Sequence, residues 1–191
     1  FWENPAPAAA GDFPGEIPQL RELAGHVLFE TSGSSGAPKW IVLSKSALLA
    51  SADAVNAYLG VTRDSRWGLA LPVRHVGGFG VCARAYAAEC GLEHFDGPWN
   101  AGDFTKWAET RAITHLSLVP TQVHDLVSGH FKAPSSLRTI VVGGGRLEQG
   151  AGQAARDLGW PVLASFGMTE ACSQIATQSL DSIELPYRPS P

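Results

Sequence analysis

Apolar positions along the chain fall into two alternating rhythms, short continuous runs and helical spacings. The runs His26 to Phe29, Trp40 to Leu43, Trp67 to Leu71, Leu92 to Phe95, His115 to Val119, Leu137 to Val142 and Val162 to Phe166 have the length and apolar continuity of buried strands. Ser44 stands where it can cap a helix whose Leu48, Leu49, Ala52, Val55 and Leu59 recur at helical spacing up to a stop at Gly60. A glycine-rich turn over Val73 to Gly80 leads into a second helix, Val81 to Ala88. Asn100 caps a third, carrying Phe104, Trp107 and Ala108, and Pro120-Thr121 opens a fourth, with Val123, Leu126 and Val127 inward and Gly129 as its stop. An Ala-rich helix from Glu148 to Leu158 is the fifth. Strand and helix keep alternating, which predicts an α/β domain with a largely parallel sheet and flanking helices, its ligands beyond the carboxyl ends of the strands.

The two ends break the rhythm. Pro5, Pro7, Pro14 and Pro18 interrupt any regular structure near the start, so residues 1–25 read as an extended Pro/Ala-rich lead-in, 26–177 as the α/β core and 178–191 as a tail. A length of 191 residues suffices for one domain with a real core, and 45% hydrophobic with 17% charged residues is a globular composition. The net charge of −4 argues against nucleic acid or an anionic membrane as main partner. Cys82, Cys90 and Cys172 are odd in number and form no C-x-x-C pair, so neither a disulfide framework nor a zinc site is expected, and a reducing cytoplasm fits best. No apolar run has the length of a membrane span.

Candidate chemistry concentrates in four places. Thr31-Ser32-Gly33-Ser34-Ser35-Gly36-Ala37-Pro38-Lys39 sets small hydroxyl residues and glycines between two apolar strands and ends in a lysine. Glycines let successive N–H groups converge on an anion, the hydroxyls add donors and Lys39 adds charge, so the stretch reads as a phosphate cradle. It does not fit G-x-x-x-x-G-K-[ST], and a mobile Ser/Gly loop is the bland alternative. Ser165-Phe166-Gly167-Met168-Thr169-Glu170 follows a buried strand, where a glycine would turn the backbone and project a hydroxyl and a carboxylate together. Thr169 suits a phosphate and Glu170 its Mg²⁺, against a surface strand end as the alternative. Gly143-Gly144-Gly145 is a flat surface for a purine or simply a tight turn. His75 is a lone histidine in a glycine-flanked turn, more often structural than catalytic; His26, His94, His115, His124 and His130 show no ligand spacing and read as surface or edge residues.

Thr31 to Lys39 resembles the signature loop of the adenylate-forming superfamily, roughly T-S-G-[ST]-T-G-x-P-K-G, and Trp40 departs from it. Phe166-Gly167-Met168-Thr169-Glu170 matches every fixed position of that superfamily's [YF]-G-x-T-E. The resemblance implies ATP and Mg²⁺ as cofactors, CoA as co-substrate and a small carboxylic acid as substrate. It places Gly143 to Gly145 and Ser165 to Gly167 at the nucleotide, and His75, within P-x-x-H, beside the acid's carboxylate. Lys39, Thr169, Glu170 and His75 are then the catalytic candidates. Trp67, Leu69, Leu71, Pro72, His75 and Val76, and then His115 to Gln122, look like stretches of the o-succinylbenzoate CoA ligase branch.

Such an acid is a dianion, and activating one carboxylate leaves the other in need of a cation inside the pocket. Arg84 is the candidate, with Gly77 and Ser117 lining the same pocket; that Arg84 snorkels from a helix face is an equal alternative. Ligases for other aromatic or aliphatic acids and a degenerate nucleotide-binding module remain the competing functions. The superfamily places a ribose-binding aspartate, a hinge and an adenylation lysine after the T-E motif, whereas Lys39, Lys45, Lys106 and Lys132 all precede Thr169. The lid domain is therefore expected to be absent from this chain, which by itself should form negligible thioester.

Overall fold

A computed structural model describes residues 24–32 and 38–190. The first two strands, β1 (His26–Ser32) and β2 (Pro38–Ser44), pair antiparallel with Thr31 opposite Lys39, forming a ribbon separate from the main sheet. The ribbon is held by its alternation: Phe29, Ile41 and Leu43 turn inward and cluster with Leu48 of α1 (Lys45–Leu59). Ser44 ends the ribbon and starts the helix, its Oγ accepting from the Ala47 amide at 3.1 Å, and Gly60 ends α1 at a φ of 65°.

Beyond it come β3 (Arg66–Leu69), α2 (Val76–Ala87), β4 (Gly91–His94), α3 (Ala101–Thr110), β5 (His115–Leu118), α4 (Pro120–Ser128), β6 (Thr139–Val142), α5 (Gln149–Asp157), β7 (Val162–Met168) and β8 (Ser173–Thr177). The sheet order is β4-β3-β5-β6-β7-β8, parallel throughout except for the antiparallel edge strand β8. Alternation along the strands divides the core into two layers. Leu116, Leu118, Ile140, Val142 and Val162 pack with α3, α4 and α5, whereas Trp67, Leu69, Val141 and Leu163 pack with α1 and α2.

Three expectations are corrected. The glycine-rich stretch before Val81 is mostly helix, since α2 already begins at Val76. Gly78 serves close approach rather than a turn: a Cβ there would collide with the Leu71 and Pro72 carbonyls. Gly167 is likewise no turn but an interior residue of β7 at a bulge, where a side chain would collide with the Ser173 backbone of β8. His115 is no surface residue; it is 1% exposed and lies against the Trp67 ring at 5.3 Å.

Residues 178–190 are anchored on the domain. Gln178 is buried and its Oε1 accepts from the Ala164 amide at 2.9 Å, while Arg156 of α5 donates to the Ser182 and Leu185 carbonyls. Tyr187 is fully buried against Gly152 of α5, in space that any side chain at that position would occupy.

Candidate active site

The strand order reverses between β3 and β5, because the chain steps outward from β3 to β4 and then returns across it. Crossovers on opposite faces leave a crevice at such a point, outside the carboxyl ends of the two strands. Here the crevice begins inside the sheet. β3 pairs with β5 only at Trp67↔His115 and Gly68↔Leu116, while β3 stays paired with β4 to Leu69↔His94 and β5 with β6 to Leu118↔Val142.

Arg84 of α2 occupies the α2 side of this split. It is 3% exposed, its Nη1 donates to Ser117 Oγ of β5 at 3.0 Å, and its guanidinium lies 5.4 Å from the centre of the Trp67 ring. Asn56 of α1 donates to the Arg84 carbonyl at 2.8 Å, fixing the helix that carries it. Burial lowers the guanidinium's pKa to about 10, which leaves it cationic at neutral pH. Among the described residues no carboxylate forms an ion pair with it. The geometry excludes snorkelling. Gly80 lies beside the cation: a Cβ placed on it would stand 3.5 Å from Arg84 Nη2 and 3.6 Å from Ser173 Oγ. A buried cation with a hydroxyl beside it and no acidic partner among the described residues is the chemistry of an anion site.

A second group of candidates gathers where the ribbon meets the end of β7. Lys39 Nζ lies 3.6 Å from Glu170 Oε1, the two side chains 63% and 43% exposed, and Thr31 Oγ1 donates to the Lys39 carbonyl at 3.2 Å. Thr169 and Glu170 form a single 3-10 turn directly after Met168. Ser165 Oγ donates to the Val142 carbonyl at 3.0 Å, joining β7 to the end of β6 where Gly143 begins the glycine triplet. Gly144 has a φ of +74°, and a Cβ on Gly143 would stand 3.2 Å from Ser165 Oγ. Phe166, the next residue of β7, is 56% exposed. An exposed ring, an uncluttered strand end and a lysine fit a nucleotide. Among the described residues no three His, Cys, Asp or Glu side chains gather as in a metal cage. A Mg²⁺ at Glu170 would thus be held by one carboxylate together with phosphate oxygens.

Gly33, Ser34, Ser35 and Gly36 lie outside the described residues, as does the Ser32 side chain. His75 is exposed at the N-terminus of α2, and Gly77 lies in its first turn 3.7 Å, by a Cβ placed on it, from Leu71. Sequence reasoning missed β8, whose short, largely polar run Ser173 to Thr177 shows a strand signal only in Ile175 and Thr177. It also missed Gln122, which is buried at the start of α4.

The pattern of the AMP-binding enzyme family matches residues 11–190. A 2-succinylbenzoate–CoA ligase of Staphylococcus aureus is 33% identical over 147 residues, which cover 77% of this chain and 30% of that protein. The o-succinylbenzoate coenzyme A synthetase of Bacillus subtilis in complex with ATP and magnesium superposes with a TM-score of 0.75 at 30% identity, covering 81% of this chain and 32% of that one. The same synthetase in complex with its acyl-adenylate intermediate superposes with a TM-score of 0.77, covering 85% and 34%. The chain thus spans about a third of the length of the relatives it matches.

Proposed function

We propose, for a chain that belongs to the AMP-binding enzyme family, that it forms the adenylating core of an acid:CoA ligase whose acid carries a second carboxylate, with o-succinylbenzoate as the substrate. The observation that carries the reading is Arg84, a buried cation at the strand switch with Ser117 beside it and no ion-pair partner among the described residues. A dianionic acid can be buried there only if its spectator carboxylate is paired, and Arg84 supplies the pair.

ATP with Mg²⁺ supplies the electrophilic phosphorus and part of the charge neutralisation. The residues of this chain hold the two anions in line: Arg84 and Ser117 take the spectator carboxylate, and His75 and Gly77 border the reacting one. Lys39, with the hydroxyl of Thr31, meets phosphate oxygens, and Thr169 donates to the phosphate under attack. Glu170 would hold the Mg²⁺ through its carboxylate, and Phe166 and Gly143 to Gly145 would take the base. Catalysis of this kind is positioning and electrostatic stabilisation, with no covalent enzyme intermediate. CoA then accepts the acyl group.

Acid-dependent exchange of pyrophosphate into ATP by the intact gene product, across a panel of mono- and dicarboxylic acids, tests the reading. Fastest exchange with o-succinylbenzoate supports it; exchange with monoacids alone moves the assignment to another acid. Lys39→Ala is expected to raise the KM for ATP about tenfold with the fold retained, as for loss of a charge-assisted contact. Unchanged nucleotide affinity in that variant removes Lys39 from the site.

A further inference from the structure

The split between β3 and β5 removes ladder hydrogen bonds at the place where the acid would bind. After Gly68↔Leu116 the two strands no longer pair, and the register does not extend to Leu69 and Ala70 on one side or Ser117 and Leu118 on the other. One side chain closes it. Gln122, in the first turn of α4, is 8% exposed; its Oε1 accepts from the Val119 amide at 3.0 Å and its Nε2 donates to the Ala70 carbonyl at 3.2 Å. The first contact ties Gln122 to the end of β5, two residues beyond Ser117. The second reaches the end of β3, one residue before Leu71-Pro72 and the turn that carries His75.

We infer that Gln122 is a positioning residue that sets the width of the acid crevice: its amide is a one-side-chain rung joining the strand end that leads to His75 to the strand that holds Ser117. This inference rests on the acid-binding role given to Arg84 and Ser117 above. An amide is the chemistry the rung requires. One end must accept from an N–H and the other must donate to a carbonyl, and both groups are main-chain atoms that β3 and β5 would otherwise satisfy in each other. Lys39, Thr169 and Glu170 lie on β2 and the turn after β7, off the rung, whereas Gly144 and Gly145 pack against Val119 and Pro120 at its β5 end, so its loss bears on the acid more than on ATP.

The test is the pyrophosphate exchange of the full-length enzyme with Gln122→Met, which keeps the side chain's length and deletes both bonds, and Gln122→Glu. Gln122→Met should raise the KM for the acid about tenfold and leave the KM for ATP within about twofold, as for two buried hydrogen bonds lost on one side of the site. Gln122→Glu supplies a check independent of folding yield. Its carboxylate accepts from Val119 but repels the Ala70 carbonyl, whereas its protonated form has the donor and acceptor of the amide. Relative to wild type at each pH, the acid KM of Gln122→Glu should therefore fall back toward normal as the pH is lowered from 8 to about 5.5, and that of Gln122→Met should not.

An acid KM unchanged in both variants, or acid and ATP KM values rising together with no recovery of Gln122→Glu at low pH, overturns the inference and leaves the acid-site reading standing. A wild-type enzyme without acid-dependent exchange overturns both.

Discussion

Arg84→Ala is expected to raise the KM for a dianionic acid by about a hundredfold and that for a monoacid analogue by no more than about threefold, as for a charged partner removed from a buried pair. The asymmetry follows from what Arg84 touches: Ser117 and the Trp67 ring, with no ion-pair partner among the described residues. A monoacid has nothing to place there. Arg84→Met separates function from folding, because a buried cation without a carboxylate costs desolvation energy that only the ligand offsets. Thermal unfolding of ligand-free Arg84→Met should occur no lower than wild type, while its response to the dianionic acid disappears. Equal KM changes for both acids, or an unfolding midpoint well below wild type with acid response intact, would make Arg84 a structural residue.

Acidification is expected to unfold the domain through His115. Its ring is buried, with Nδ1 2.7 Å from Thr114 Oγ1. Burial lowers its pKa from 6.5 to about 4, and the charge of Arg138 adds to that against a hydrogen bond with the Leu59 backbone that opposes it. The unfolded chain takes up the proton first. The contribution of neutral His115 is thus fully present above pH 6.5, falls as the pH drops, and is gone near pH 4, a loss of about 3 kcal/mol. Urea unfolding between pH 7.5 and 4 should show this loss in wild type. His115→Asn, which keeps a partner for Thr114 and does not titrate, should lose most of that slope even though its packing is poorer. A slope as steep in His115→Asn as in wild type assigns the acid sensitivity elsewhere.

The elements were legible because strand runs and helical spacings carry their periods in short windows. Ser44, Gly60 and Asn100 cap helices as read, since a cap depends on three or four neighbouring residues. Where the reading failed, the deciding partner was distant. Gly78 and Gly167 have the local signature of turn residues, but each is small because backbone outside its own element, Leu71-Pro72 and Ser173, lies against it. Histidine spacing says nothing of burial, and His115 went inside because the α1–α2 layer covers that side of β5. Tyr187 lies between Pro186 and Pro189 and reads as loop; the groove made for it by Gly152 belongs to α5.

The sequence by itself determined the family, the α/β alternation and the residue types of a nucleotide site, because the Thr31–Lys39 loop and the Phe166–Glu170 motif are contiguous strings whose chemistry is local. Which strands meet, and in what order, it did not determine. The reversal between β3 and β5, the early end of their pairing, and the arrival of Arg84 from α2, Ser117 from β5 and Gln122 from α4 at that one gap are products of topology. Arg84 could be read equally as a snorkelling surface residue until α1 and β3 were packed around it, because burial is a property of the neighbours that the fold brings and not of the side chain.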